Sequence, residues 1–307
     1  MIYVMTTLFK KILFIKTWSK LTIATSIVGA GVCSFSALAE DILTATPATY
    51  MLASELTKGT SITTSYLPPK RYGIQRLPNW FNGKGAELTA KAAREAKVAV
   101  TLGAIWPQDP LYVHARQGNI AIIEVDASQA ISPRAQGVAA LRLEDGTTST
   151  FAWLNPANLS RMAAIVSQDL QQVWPAQAKA IAANQQQLML DVRKMINQQQ
   201  NDLLDAEIDS VVLLSNELED FASGNQLFVV ERFTQPELEW TQEDKQALVE
   251  LLVNDESLWL LTSKKVSKQL KSLVPNPNRI LMVDSVDRWG REGIRKDAPL
   301  TRWQLDL

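Results

Sequence analysis

The chain has 307 residues, with 31 Lys and Arg against 32 Asp and Glu, one histidine, one cysteine and a formal charge of −1. That balance, which falls to −5 once the export signal described below is removed, argues against a nucleic-acid partner, which needs a basic face. One histidine and one cysteine also exclude a zinc site of nitrogen and sulfur donors, which takes about four ligands.

The first segment reads as an export signal. Lys10, Lys11, Lys16 and Lys20 precede an apolar run from Leu21 through Val32, and Ala37-Leu38-Ala39 supplies the small residues that signal peptidase needs. Cleavage of residues 1–39 predicts a periplasmic protein beginning at Glu40. A lipid anchor on Cys33 is not expected, because Val32 stands where a small residue belongs. Cleavage removes four lysines and the only cysteine, leaving 27 bases against 32 acids, a charge of −5 and no thiol or disulfide chemistry.

From there strands and helices alternate. Ile42–Thr46 predicts a strand, Ala48–Leu56 a short helix and Ser61–Tyr66 a second strand, which Leu67-Pro68-Pro69 must end because proline cannot donate to a ladder. Ala86–Ala96 reads as a surface helix, and Val98–Leu102 and Ile120–Val125 as strands. After Asn155-Pro156, a capping residue followed by a first-turn proline, a helix runs to about Val173. A second helix starts near Pro175, with apolar positions Ile181, Leu188, Val192, Ile196 and Leu203 and a glutamine-rich opposite face that includes Gln198, Gln199 and Gln200. Strands at Ser210–Ser215, Gln226–Glu231, Leu258–Thr262 and Arg279–Val283, with a Thr241-capped helix to Val253, repeat the alternation. The expected architecture is α/β, with two lobes of mostly parallel sheet flanked by helices and joined by one long helix. Residues 40–155 form the first lobe, 156–206 a helical segment and 207–307 the second lobe.

Several segments, in order, resemble one family. Tyr66-Leu67-Pro68-Pro69 with Pro78, then Phe151 through Asn158, then Trp174-Pro175 with Asn184, then Val283-Asp284-Ser285-Val286 with Arg291-Glu292-Gly293, are similar to motifs of the solute-binding proteins of zinc and manganese ABC importers. The resemblance implies a metal ion held between the lobes by two histidines of the first lobe, a His or Glu of the second and a late aspartate. It also implies an ABC permease in the inner membrane as partner, with the protein acting as a monomer. At those positions this sequence carries Ile74, Phe151, Asn216 (with Glu217 adjacent) and Asp284, so only the last matches.

The chemistry follows from that set. His114 lies outside every ligand loop and reads as a surface or helix residue. Asp284, Glu217 and Glu219 leave room for a hard cation on oxygen ligands, held weakly at best, so a divalent metal is the only cofactor in view. An organic ligand is the other option, in a cleft lined by Tyr72, Phe151 and Trp153, with Trp106 and Trp80 near it and Arg71 or Lys70 as an anion partner, against which stands the reading of these aromatics, Trp153 and Trp106 above all, as core. No nucleophile elbow or phosphate-binding glycine loop occurs, so no enzyme is expected. The sequence thus points to a periplasmic solute-binding protein of the metal-importer type with a degenerate metal site. The alternative is an accessory protein outside transport that keeps the same scaffold.

Overall fold

The computed structural model describes residues 41–130 and 136–307. The expected signal peptide, residues 1–39, lies outside them. Among the described residues no helix is long and apolar enough to cross a membrane.

Two four-stranded sheets, parallel throughout, organise the chain. The first has the order β2-β1-β3-β4, from β1 (Ile42–Thr44), β2 (Thr64–Tyr66), β3 (Val98–Thr101) and β4 (Ile123–Asp126). The second repeats that order as β6-β5-β7-β8, from β5 (Ser210–Leu213), β6 (Phe228–Arg232), β7 (Trp259–Thr262) and β8 (Ile280–Met282). Central strands β1, β3 and β5 are apolar and almost fully buried, as a sheet covered on both faces requires. The expected two-lobe α/β architecture is therefore present.

Helices α1 (Pro47–Leu56), α2 (Leu77–Phe81), α3 (Lys84–Ala93) and α4 (Leu111–Gly118) belong to the first lobe. Thr46 opens α1 with a capping box, its hydroxyl accepting from the Thr49 amide. Next comes α5 (Pro156–Val173), capped by the Asn155 side chain, which accepts from the amides of Ala157 and Asn158. The long helix, α6 (Ala178–Asp205), follows a short 3₁₀ turn at Pro175–Gln177. In the second lobe lie α7 (Glu219–Gly224), α8 (Gln242–Asn254) and α9 (Lys268–Leu273). Thr241 and Asp244 form the expected capping box on α8.

The buried face of α6 departs from expectation in one place. Ile181, Leu188, Val192 and Leu203 are buried, but Met195 and Gln199 join them while Ile196 is only half-buried. At 3.6 residues per turn, position 199 lies five turns from Ile181 and must face the same way. Gln199 meets burial by donating its amide N–H to the Trp303 carbonyl at 2.6 Å. Asn184, on the same helix, donates to the carbonyls of Leu56 and Lys58 at 3.0 and 2.8 Å, satisfying the C-terminus of α1.

The C-terminal segment crosses back to the first lobe. Trp289 packs edge-to-face on Tyr50 and at a tilt on Tyr66, at centroid distances of 4.8 and 4.6 Å, and the Gly290 amide donates to the Lys70 carbonyl at 2.8 Å.

Candidate functional site

Two cavities open at the carboxyl ends of the strands, where parallel α/β sheets present their ligand crevices. The first, about 550 Å³, is lined by segments that follow β2 (Ile74, Gln75, Pro78), β3 (Ile105 to Gln108), β4 (Leu143, Gly146 to Phe151) and β5 (Asn216). Ile74, Phe151 and Asn216, three of the four positions singled out by the resemblance, thus share one cavity that draws on both lobes. Ile74 opens a short 3₁₀ turn after Gly73 and is 4% exposed, a core residue facing the crevice. Phe151 ends the loop before α5, its ring 5.3 Å from that of Trp153.

These side chains do not fit a transition metal. Ile74 and Phe151 carry no donor, and Asn216 offers one amide, against the tetrahedral nitrogen and sulfur set that zinc prefers. His114 sits in α4, 8% exposed and packed 5.6 Å from the Phe81 ring, where burial lowers its pKa.

Asp284 lies elsewhere. It lines a second cavity of about 410 Å³ with Glu217, Ser263, Asp287 and the basic side chains Lys264, Lys265, Arg288 and Arg302. Two of the three oxygen-ligand candidates of the sequence, Asp284 and Glu217, are therefore brought together, but with one further acid and four cations. Asp284 is already committed. Its Oδ2 accepts from Arg302 Nε at 2.7 Å, and its Oδ1 accepts from Arg302 Nη2 at 2.9 Å and from the Val286 amide at 2.8 Å. This bidentate clamp also holds a strained turn, since buried Val286 has φ +54°, costly for a β-branched residue. Arg302 extends the clamp by donating from Nη1 to the Arg288 carbonyl at 2.9 Å. Glu217 accepts from the Ser263 hydroxyl at 2.6 Å, and Glu219 forms a pair with Arg232 at 2.7 Å. Among the described residues no three His, Cys, Asp or Glu side chains stand close enough to hold a metal ion.

The aromatic cleft expected from Tyr72, Phe151 and Trp153 is corrected in two of its members. Trp153 is fully buried; its indole N–H donates to the Ser285 carbonyl at 3.0 Å, and its own carbonyl accepts from Trp303 Nε1 at 2.9 Å. It is a core tie between the start of α5 and the second lobe. Tyr72 lies beneath the guanidinium groups of Arg71 and Arg76, outside the lining of the first cavity, and neither Lys70 nor Arg71 reaches that lining. Trp80 packs on Phe81. Phe151 remains on the wall, joined by Trp106, Gln75, Gln108 and the 143–150 segment, whose contribution no local sequence signal marks.

One carboxyl stands behind this wall. Asp220 in α7 is 1% exposed, and burial pushes it up to about 6, with hydrogen bonding to the cavity residue Ser149 opposing that rise. On the rim, Arg232 pairs with Glu144 at 3.1 Å as well as with Glu219, linking the segment before Phe151 to the second lobe.

No family model matches the sequence, and no curated protein is significantly similar to it in sequence. Solved structures do share its fold. A structure of ZnuA superposes with a TM-score of 0.58 at 16% identity, over 81% of this chain and 92% of that one. The solute-binding protein FpvC of Pseudomonas aeruginosa, in complex with Mn²⁺, gives 0.60 at 12% identity, over 81% and 90%. The metal-dependent lipoprotein YcdH of Bacillus subtilis gives 0.63 at 12% identity, over 84% and 91%. The likeness is one of fold.

Proposed function

We propose that this protein is a periplasmic solute-binding protein of the metal-importer architecture whose inter-lobe site has ceased to cage a transition metal. Its partner on this reading is an ABC permease of the inner membrane, to which it presents the two lobes as a monomer. The observation that carries the reading is the separation of the four ligand positions. Ile74, Phe151 and Asn216 line one cavity and offer no metal-binding set, while Asp284 lies in another, clamped by Arg302. A divalent ion reaching Asp284 would have to displace a bidentate guanidinium amid three further basic side chains, so any binding there is weak.

Calorimetry of the metal-stripped mature protein tests the first half. Titration with Zn²⁺ and with Mn²⁺ is expected to give no submicromolar binding, and a submicromolar site for either ion would refute the reading. Cross-linking in intact cells tests the second half. Capture of an inner-membrane permease supports transport, whereas capture of none while other envelope proteins are recovered supports the accessory role instead.

A further inference from the structure

The first cavity has a property beyond its lack of metal donors. None of its fifteen lining residues is charged. An ion entering it would leave its hydration shell and meet no counter-charge, which is unfavourable for either sign. Ionisable groups beside the lining are engaged elsewhere. Asp109, next to Gln108, accepts from the amides of Leu102 and Leu111, and Asp145, next to Gly146, accepts from the amide and hydroxyl of Thr147. Asp220 is 1% exposed, Arg232 is held between Glu144 and Glu219, and Glu217 turns to Ser263 in the other cavity.

The wall is nonetheless rich in hydrogen-bonding capacity. The side-chain amides of Gln75, Gln108 and Asn216 make no hydrogen bond among the described residues, and all three side chains belong to exposed positions facing the crevice. Each can donate twice and accept twice. The same wall carries the largely buried apolar side chains Ile74, Trp106 and Phe151. At about 550 Å³ the cavity falls within the range of small-molecule sites, roughly 300–1,000 Å³.

On the reading above, that this is the solute site, we infer that the solute is an uncharged polyhydroxy compound of the sugar type. Such a molecule has hydroxyls for the three amides, C–H faces for the apolar wall and no charge to leave stranded. Metal cations, phosphorylated compounds and carboxylates are disfavoured by the same wall.

The test uses ligand-stripped mature protein and probes matched in skeleton but not in charge. D-Glucose, D-galactose, trehalose and maltose are compared by thermal shift and calorimetry with gluconate, glucuronate and glucose 6-phosphate, with Zn²⁺ as a separate arm. At least one uncharged sugar is expected to bind, its charged counterparts at least about tenfold more weakly. Gln108→Ala and Asn216→Ala, at exposed positions without partners, are each expected to keep the melting temperature of the unliganded protein while weakening the sugar by about tenfold. Failure of every uncharged probe, or equal or tighter binding of a charged one, overturns the inference. Those results without zinc affinity leave the solute-binding reading standing, whereas submicromolar zinc affinity defeats both.

Discussion

Replacing Asp284 with alanine separates a structural aspartate from a metal ligand. The substitution removes two charge-assisted hydrogen bonds from Arg302 and the one that steadies the strained Val286 turn. Hydrogen bonds to charged groups contribute about 1.5–3 kcal/mol each when buried, and exposed ion pairs about 0–1 kcal/mol. The Asp284 side chain is 44% exposed and that of Arg302 11% exposed, so solvent screening discounts the sum to about 2 kcal/mol. In a protein of this size that lowers the melting temperature by about 4–8 °C. Scanning calorimetry of wild type and variant, each with and without Zn²⁺ or Mn²⁺, reads the effect. The drop is expected under all conditions, with no metal-dependent rise in either protein. Equal melting of the two proteins, or a metal-dependent stabilisation of wild type that the variant lacks, would show that Asp284 serves an ion and not the Arg302 clamp.

Three other outcomes follow from the same geometry. The triple variant Ile74→His, Phe151→His and Asn216→His puts three imidazoles on one cavity and is expected to gain at least about tenfold in zinc affinity over wild type by calorimetry; no gain would mean the three positions do not converge. Asp220→Asn bears on pH. The folded-state pKa of about 6 exceeds the ordinary 3.8, so Asp220 favours folding most at low pH, and that contribution is lost as pH rises from about 4 to about 6. Urea unfolding at pH 4, 5, 6 and 7 should therefore find the variant gaining on wild type across that interval, by about 2–3 kcal/mol in total, and a difference independent of pH would refute the assignment. Finally, Gly73→Ala would drive a methyl group into Asp287 Oδ2, whose carboxylate Arg288 holds at 2.8 Å through Oδ1 and 2.9 Å through Oδ2. A loss of about 1–3 kcal/mol is expected in chemical denaturation, and a neutral result would mean that the contact between these two loops is slack.

The fold was legible wherever a residue's role is local. Asn155-Pro156 starts α5 and the Thr241 box starts α8 where capping chemistry predicts, and the apolar runs of β1, β3 and β5 are the buried strands. Helices α2, α7 and α9, at five or six residues each, are too short for a periodic signal to develop. Gln199 is buried against expectation because a run of glutamines reads as a polar face, whereas its partner, the Trp303 carbonyl, lies 104 residues away. The site divides in the same manner. Ile74, Phe151 and Asn216 stand at positions marked by the family motifs that the chain resembles, and the missing donors there are a matter of residue identity. That Arg302 would occupy Asp284 could not be read, because the partner lies 18 residues later, within the 3₁₀ segment Thr301–Trp303, and nothing in the intervening chain marks it. Trp153, an aromatic beside a loop motif with a cleft and a core reading both open to it, is assigned to the core by burial.

The absence of a metal cage is tested most directly by anomalous diffraction from crystals of the mature protein soaked in zinc and, separately, in manganese. No anomalous peak is expected in the cavity of Ile74, Phe151 and Asn216, and the Arg302 guanidinium should remain on Asp284. A full-occupancy peak bound by side chains of both lobes would contradict the account.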